Sequence, residues 1–251
     1  MKYRNQYSRR CVSARVPSQI VIVFLTLFLL SSCRQNTENT PQISSIPAVK
    51  NCGDLATLEL EVVLNPEAYG RSRSGEPPQL ALWIEALDGS TMRTLLVTHR
   101  MAQGKWLGKV ECASCLPFWL DRYQRINDSP PPDFQHPLPD AISAATPGKR
   151  VTVSTEIPMG SEWSVFLEIN AGGDFNPSFP DTDYQGRPDP EGNGQPSLVY
   201  RAHLHSRPGS EIPLVLLGHM GQRPGDKELN IDLTGITSAA EMVLTAQVSI
   251  R

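Results

Sequence analysis

A series of short strand-like runs between residues 58 and 250 is the feature that most constrains the fold. In one run, Trp163, Val165, Leu167 and Ile169 place apolar side chains at every second position, the period of a β-strand. The 22 prolines stand mostly between such runs, where they do not interrupt strand pairing. The predicted strands are Leu58–Val63, Leu80–Ile84, Thr94–Thr98, Val151–Ile157, Trp163–Ile169, Leu198–Leu204, Glu211–Leu217, Glu228–Leu233 and Met242–Ile250.

These runs predict an all-β fold, an immunoglobulin-like antiparallel β-sandwich with two long loops. Asp88-Gly89 lies between two of the runs and predicts a hairpin with a loop longer than two residues. Only Leu116–Tyr123 and Ala239–Met242 have a briefly helical pattern. The long loops, 127–149 and 171–196, are rich in proline or in glycine and aspartate. Loops of this length are typically functional or internally ordered.

The first 33 residues have the order of a bacterial lipoprotein signal. A basic segment without acidic residues precedes the apolar stretch Ile20–Leu30, which only Thr26 interrupts. This order is typical of a secretory signal, and the apolar stretch is shorter than the ~20 residues of a membrane-spanning helix. Leu30-Ser31-Ser32-Cys33 resembles the sequence at which bacteria attach diacylglycerol to cysteine. The sequence therefore predicts lipidation of Cys33 and cleavage before it.

The predicted organisation is a signal peptide over 1–32, a flexible tether over 33–50 and a β-sandwich domain over 51–251. The tether is polar and contains two prolines, a composition typical of linkers. Arg34 follows Cys33, and by the enterobacterial sorting rule the absence of Asp there favours the outer membrane, facing the periplasm. Without the five basic residues of the signal, the chain has 18 basic and 26 acidic residues, a net charge near −8. This negative charge argues against nucleic-acid binding, which needs a basic surface. It also does not favour electrostatic docking on anionic lipid, so the acyl anchor alone would hold the protein at the membrane.

Cys112-Ala113-Ser114-Cys115 is a candidate site with three interpretations. In an oxidising compartment, paired cysteines are usually structural disulfides; a metal site and a redox dithiol are the alternatives. Cys52 makes the number of mature thiols odd once Cys33 is lipidated. The sequence does not determine which of Cys52, Cys112 and Cys115 pair.

The second long loop contains a partial calcium-binding pattern. Asp181, Asp183 and Asp189 stand at the first, third and ninth positions of a calcium loop, with Asp174 just before them. Gly192 occupies the position of the usual bidentate glutamate, so we expect weak binding of Ca²⁺. The alternative is a solvated acidic loop.

His203 and His205 are a second candidate metal pair, because both imidazoles lie on one face of a predicted strand. His219 or a cysteine would supply the third ligand of a transition metal. The alternative is two solvated histidines on an exposed strand face.

Several short sequence segments, taken in order, point to a family. They are Leu82–Glu85, Asp88-Gly89, Arg93–Leu95, Trp106–Lys109, Leu116–Trp119, Asp140–Pro147, Phe166–Asn170, Asp174–Asn176 and Asn193–Ser197. Together they resemble a bacterial envelope family of predicted periplasmic proteins, domain of unknown function 2271. The resemblance implies an exported β-rich module, often linked to flavin transfer and membrane redox systems, without an established activity.

The stretch from Asp140 to Thr146 is similar to the sequence on which a flavin transferase esterifies flavin mononucleotide. That resemblance implies attachment at the Thr146 hydroxyl, with Asp140 helping to present the loop. Ala144 replaces the usual glycine and Pro147 follows the threonine; both changes disfavour the flexible loop that the enzyme needs. The alternative is a tightly packed turn capped by Asp140.

No catalytic motif is recognised in the sequence. We therefore expect a non-enzymatic envelope lipoprotein, an accessory or binding module near a membrane or periplasmic redox system. Its expected partners are the membrane, through the anchor, and an envelope redox protein, with no required cofactor. The alternatives are a covalent flavin mononucleotide carrier modified at Thr146 and a calcium-stabilised adhesion or scaffold module.

Overall fold

The computed structural model describes residues 54–104, 115–138, 142–144, 148–183, 185–188, 193–221 and 228–251. For 142–144 it describes the backbone only. All of them belong to one compact unit that extends from Lys50 to Arg251. The predicted signal peptide and tether, with Cys33, lie outside the described residues.

Strands dominate the described residues, with three short α-helices and one 3₁₀ helix between them. The strands are β1 (Leu55–Leu64), β2 (Gln79–Ala86), β3 (Met92–Thr98), β4 (Ile142–Ala144), β5 (Arg150–Pro158), β6 (Glu162–Asn170), β7 (Leu198–His205), β8 (Glu211–Pro213), β9 (Val215–His219) and β10 (Val243–Ile250). The helices are α1 (Pro66–Gly70), α2 (His99–Gln103), α3 (Pro117–Asn127) and the 3₁₀ helix Ser238–Glu241.

The strands form two sheets. The four-stranded sheet has the order β5-β1-β10-β8, and the six-stranded sheet has the order β4-β3-β2-β6-β7-β9. Neighbouring strands are antiparallel except for β4, which pairs with β3 in parallel. The prediction of an all-β sandwich is therefore confirmed, while the parallel edge strand is an addition that the sequence did not indicate.

The main core lies between the two sheets. Alternate residues of β1, among them Leu58 and Leu60, meet residues of the six-stranded sheet such as Leu82 and Leu167, and all four are fully buried. Burying one such side chain stabilises the fold by about 1.5–3 kcal/mol relative to exposing it. The period-two pattern of the sequence thus predicted this core correctly.

A second core covers the opposite, outer face of the six-stranded sheet. Trp83 of β2 and Phe166 of β6 project to this face and pack with Leu116 and Trp119 at the start of α3. Pro117 occupies the first turn of α3, where its missing N–H costs nothing, and the helix ends at Asp128 with a left-handed φ of 49°. Strands β2 and β6 are therefore buried on both faces, one against the other sheet and one under α3.

Three local predictions need correction. The run Glu211–Leu217 is two strands, β8 and β9, because the chain passes from one sheet to the other at Leu214. Glu228–Leu233 is not a strand; its only β pairing is an isolated bridge between Asn230 and His219. The helices α1 and α2 were not predicted, since five residues are too few to show a helical period.

The hairpin prediction at Asp88-Gly89 is confirmed. β2 and β3 are antiparallel neighbours joined by residues 87–91. Gly89 has a φ of 69°, a left-handed conformation that glycine adopts without steric cost. Its N–H donates to the carbonyl of Ala86 at 2.9 Å.

Candidate functional site

The outer face of β6 carries a fully buried carboxylate under the N-terminus of α3. Glu168 accepts hydrogen bonds from the backbone N–H groups of Phe118 at 3.1 Å and Trp119 at 2.7 Å. The hydroxyl of Ser197 donates a third bond, at 2.6 Å. Leu116 stands at the N-cap of α3 without a capping side chain. Glu168 therefore satisfies the free N–H groups of the helix from a neighbouring strand.

Burial dominates the electrostatics of Glu168. Desolvation raises the pKa of its carboxyl to about 7, although the hydrogen bonds from Ser197, Trp119 and Phe118 act in the opposite direction. Among the described residues, no basic side chain forms an ion pair with it. The charge state of this carboxyl therefore changes close to neutral pH.

A second carboxylate of the outer face, Glu85 on β2, is paired. It accepts a bond from Trp83 Nε1 at 2.8 Å and lies 3.3 Å from the guanidinium of Arg122 on α3. The same guanidinium lies 4.9 Å from the ring centre of Phe118, in the range of a cation–π contact. Trp83 stacks on Phe166 with ring centres 5.0 Å apart. These contacts fix α3 over the sheet by one ion pair and an aromatic cluster.

Basic side chains lie on the same face further along β7. Arg201, His203 and His205 alternate with core residues of this strand, so all three project to the outer face. His203 lies opposite Ser164 of β6, and its Nδ1 is 2.9 Å from the Ser164 hydroxyl oxygen. We call Arg201, His203 and His205, together with Ser164 of β6, the β7 stripe.

The predicted third metal ligand, His219, is not part of this stripe. Its ring nitrogens lie 2.8 Å from the carbonyl of Met220 and 3.0 Å from the carbonyl of Asp232. It is buried and holds the segment after β9. Within the part of the chain that the structure describes, no three His, Cys, Asp or Glu residues are grouped to hold a metal ion.

The structure gives Asp174, a candidate calcium ligand, a structural role. It is buried and accepts bonds from Gln195 Nε2 at 2.8 Å and from the Ser238 hydroxyl at 2.7 Å. Burial raises the pKa of its carboxyl above the ordinary value. Gln195 also accepts the backbone N–H of Thr237 at 2.6 Å. This network joins the second long loop to the 3₁₀ helix.

The other acidic side chains of that loop have separate partners. Asp181 forms an ion pair with Arg73, and the hydrogen bond from that guanidinium lowers the pKa of Asp181. Asp183 pairs with Arg187 at 2.7 Å. Asp189 lies outside the described residues. The structure thus does not bring Asp174, Asp181 and Asp183 around one cation, and the calcium site stays a prediction.

Cys115 is buried and disulfide-bonded, directly before α3. Its partner lies outside the described residues, as do Cys52 and Cys112. The bond fixes the chain at the point where it enters the helix.

The flavin-acceptor candidates Asp140 and Thr146 also lie outside the described residues. The described residues nearest to them are β4, which lies between them at the edge of the six-stranded sheet, and residues 148–150, which are exposed. The Tyr69 hydroxyl donates to the carbonyl of Gly148 and so holds the second of these segments against α1.

A surface cavity of about 400 Å³ lies on the other sheet, beside β1, β8 and β10. Its acidic wall includes Glu59, Glu61 and Glu211. Arg251 pairs with Glu59 at 2.8 Å and Arg150 pairs with Glu61 at 2.9 Å. Two of the three carboxylates are therefore already neutralised by neighbouring arginines.

Sequence reasoning missed Glu85, Glu168, Ser164 and Arg201. The available signal was Phe166, a large aromatic residue on the face of β6 opposite the apolar stripe. A strand with bulky apolar residues on both faces is buried on both. The short helical pattern at Leu116–Tyr123 was the element available to cover the second face.

None of the described helices is long and apolar enough to cross a membrane. Comparison of the chain with protein-family models, with curated proteins and with solved structures found no match. The resemblance to the domain of unknown function 2271 family therefore stays a prediction.

Proposed function

We propose that the mature protein is a lipid-anchored, non-enzymatic binding module of the bacterial cell envelope that serves a flavin-linked redox system. Cys33 carries the acyl chains, residues 33–50 act as the tether, and the sandwich supplies the binding surface. The outer membrane, facing the periplasm, is the proposed location. The redox setting rests on the family resemblance.

One observation carries the binding role: the buried carboxylates of the described residues hold structure together. Glu168 caps α3, Glu85 is fixed by Trp83 and Arg122, and Asp174 joins a loop to the 3₁₀ helix. A general acid or base must reach a substrate proton, whereas these groups face fixed protein donors. This arrangement favours a surface that binds over one that catalyses.

Lipid labelling tests the anchor. Cys33→Ser should abolish incorporation of labelled palmitate, because acyl attachment needs the thiol. Cys11→Ser is the matched control, since it removes a cysteine that precedes the apolar stretch, and it should retain the label. Labelling of the Cys33→Ser protein would contradict the proposal.

A second candidate function is a covalent flavin mononucleotide carrier modified at Thr146. The observation that favours it is the position of the acceptor-like stretch, which contains edge strand β4 and is followed by the exposed residues 148–150. A transferase needs access to its acceptor loop, and a sheet edge offers such access. The threonine hydroxyl would attack the diphosphate of flavin adenine dinucleotide, forming the phosphoester and releasing adenosine monophosphate.

Complementation separates the two functions. Membranes of a deletion strain are assayed for flavin-dependent electron transfer to an external ferric acceptor, after return of the wild type or a variant. An accessory module predicts that Thr146→Ala restores activity and Cys33→Ser does not. A flavin carrier predicts that Thr146→Ala fails while Thr146→Ser, which keeps a hydroxyl, restores activity. Thr155→Ala is the control for loss of a threonine elsewhere. Equal activity of the deletion strain and the wild type would contradict both.

A further inference from the structure

The β7 stripe concentrates basic side chains on the surface of an acidic protein. Arg201, His203 and His205 occupy successive outward positions of β7, about 7 Å apart along the strand. The whole chain has a formal net charge of −3. A local basic stripe on such a chain is a feature that the fold itself does not require.

Arg201 has no charged partner in the structure described. Its side chain is partly buried, opposite Phe166, and among the described residues no carboxylate lies within ion-pair distance of it. Partial burial removes part of the hydration of a charged side chain, which is costly unless a partner offsets it. An external anion would supply the missing partner.

His205 also has a polar atom without a partner. Its Nδ1 is buried and has no hydrogen-bond partner among the described residues. Buried polar atoms are bonded in the large majority of cases, and an exception indicates an absent water, ion or ligand. The adjacent His203 is already oriented by Ser164, so two imidazoles and a hydroxyl lie within one short stretch of the face.

The acidic residues beside the stripe are compatible with an anion at its centre. Glu85, opposite Ser164 on the other side of β6, is paired with Arg122 and Trp83. Glu162 lies opposite His205 at the end of β6, so it disfavours an anion at that end. The favourable position is therefore between Arg201 and His203.

We propose that the β7 stripe binds the terminal phosphate of a phosphate monoester. Arg201 supplies a planar pair of donors, which suits phosphate oxygens. His203 and the Ser164 hydroxyl, which share one hydrogen bond, supply a further donor at the same position, and His205 lies one outward position further along β7. A phosphate monoester has three terminal oxygens and a charge of about −1.5 to −2 near neutral pH, whereas a carboxylate has two oxygens and a single charge. The site is independent of the anchor and of Thr146, so its failure leaves the proposed function intact.

The test is a phosphate titration of the full-length lipidated protein in detergent micelles, followed by nuclear magnetic resonance of its ¹⁵N-labelled histidines. The chain has five histidines, so His99 and His136 serve as internal controls. Inorganic phosphate should shift the side-chain signals of His203 and His205 selectively, at constant pH and ionic strength. Acetate, as a carboxylate probe, should cause at least tenfold weaker effects.

Variants connect the effect to the site. Arg201→Gln should weaken phosphate binding about tenfold, the loss expected for one charge-assisted hydrogen bond, and Arg201→Lys should retain part of it. Arg71→Gln, which removes an exposed arginine at the C-cap of α1, should have no effect. Melting curves confirm that each variant is folded. If Arg201→Gln does not fold, the phosphate affinity of Arg201→Lys is compared with that of the wild type instead.

Four results would overturn the proposal. They are the absence of a selective shift, an equal shift of His136, acetate binding as tight as phosphate binding, and phosphate binding that Arg201→Gln leaves unchanged. Shifts caused by Zn²⁺ but not by phosphate would assign the histidines to a metal instead.

Discussion

The two faces of the six-stranded sheet differ in chemistry, even along β2 and β6, where both faces are buried. On β2 and β6 the inner face contributes apolar side chains, which are Leu80, Leu82, Ile84, Trp163, Val165, Leu167 and Ile169. The outer face of the same two strands mixes aromatic rings with charged and polar groups, which are Trp83, Glu85, Ser164, Phe166 and Glu168. One face meets a whole sheet, and the other meets the eleven-residue helix α3 together with residues of α2 and of the segment after β9.

The chemical difference between the two faces gives them different roles: the inner face stabilises the fold, and the outer face makes specific contacts. Apolar burial is non-directional, so the inner face holds the sheets together without requiring particular partners. The outer face depends on directed contacts, such as the bonds from Phe118 and Trp119 to Glu168. The uncovered part of this face, which includes the exposed His203 of the β7 stripe, is where we propose that an anion binds.

The largest expected effects come from two adjacent residues on opposite faces. Leu167→Ala removes a fully buried inner side chain, and Phe166→Ala removes the outer ring that stacks on Trp83. Each should lower the free energy of unfolding by about 3–4 kcal/mol, the usual range for such cavities. Denaturant unfolding measures both. Leu244→Ala, at a side chain 58% exposed, is the control and should cost less than about 1 kcal/mol. If Phe166→Ala lowers the free energy of unfolding as little as Leu244→Ala does, the outer core does not unfold cooperatively with the rest of the protein.

The pH dependence of stability sharpens the comparison, because Glu168 belongs to the outer face alone. Its pKa rises from the ordinary 4.5 to about 7 in the folded protein, so the folded state holds the proton more tightly than the unfolded state. The stability that this group adds is fully present below about pH 4.5 and is lost as the pH rises through 7. At about 1.4 kcal/mol for each pH unit, the difference amounts to about 3 kcal/mol.

Glu168→Gln keeps the shape of the side chain and removes the titration. The free energy of unfolding of the wild type should therefore fall between about pH 5 and pH 8 relative to that of the variant. Glu156→Gln, at an exposed residue, should leave the wild-type dependence unchanged. Parallel pH profiles for the wild type and Glu168→Gln would contradict the burial argument.

The ion pair between Arg122 and Glu85 gives a smaller effect. Arg122→Gln should cost about 2 kcal/mol, because Glu85 is nearly buried and a buried charge without its partner is destabilising. Partial exposure of Arg122 places the expected loss below the range for fully buried pairs. Arg125→Gln on the same helix breaks an exposed pair with Asp121 and should cost under about 1 kcal/mol. Equal losses in thermal or denaturant unfolding would mean that α3 does not need this contact.

The smallest expected effect concerns the acidic loop, which belongs to neither face. Because Asp181 and Asp183 each have an arginine partner and Asp174 is hydrogen-bonded to Gln195 and Ser238, we expect calcium to leave the melting temperature unchanged. Thermal unfolding in chelator and in several millimolar calcium is the measurement. A rise of several degrees, as a ligand specific for the folded state produces, would instead support the calcium loop predicted from the sequence.

The inner face could be predicted from the sequence, whereas the polar contacts of the outer face could not. Alternation in Trp163–Ile169 is a local pattern, and it identified a buried strand face without knowledge of its partner. Glu168 gave no local signal, since its role depends on α3, which starts about fifty residues earlier in the chain. The donors that stabilise its carboxyl are backbone groups of that helix, and a sequence pattern does not reveal them.

The segment Glu228–Leu233 shows the opposite error, because its sequence predicted a strand that the structure does not contain. Its residues alternate in the right way, but Ile231 is 79% exposed and Leu233 is 38% exposed. Only Asn230 reaches a sheet, through its bridge to His219. Alternation indicates a strand only where another strand offers backbone partners, which the sequence does not report.

The intact mass of the mature protein, purified from its own host, tests the central claim most directly. A lipid-anchored module without a covalent cofactor should have the mass of residues 33–251 plus the acyl groups on Cys33. A further increment of one flavin mononucleotidyl group, absent from Thr146→Ala, would contradict this claim in favour of the carrier function. A mature protein without acyl groups would contradict the anchor itself.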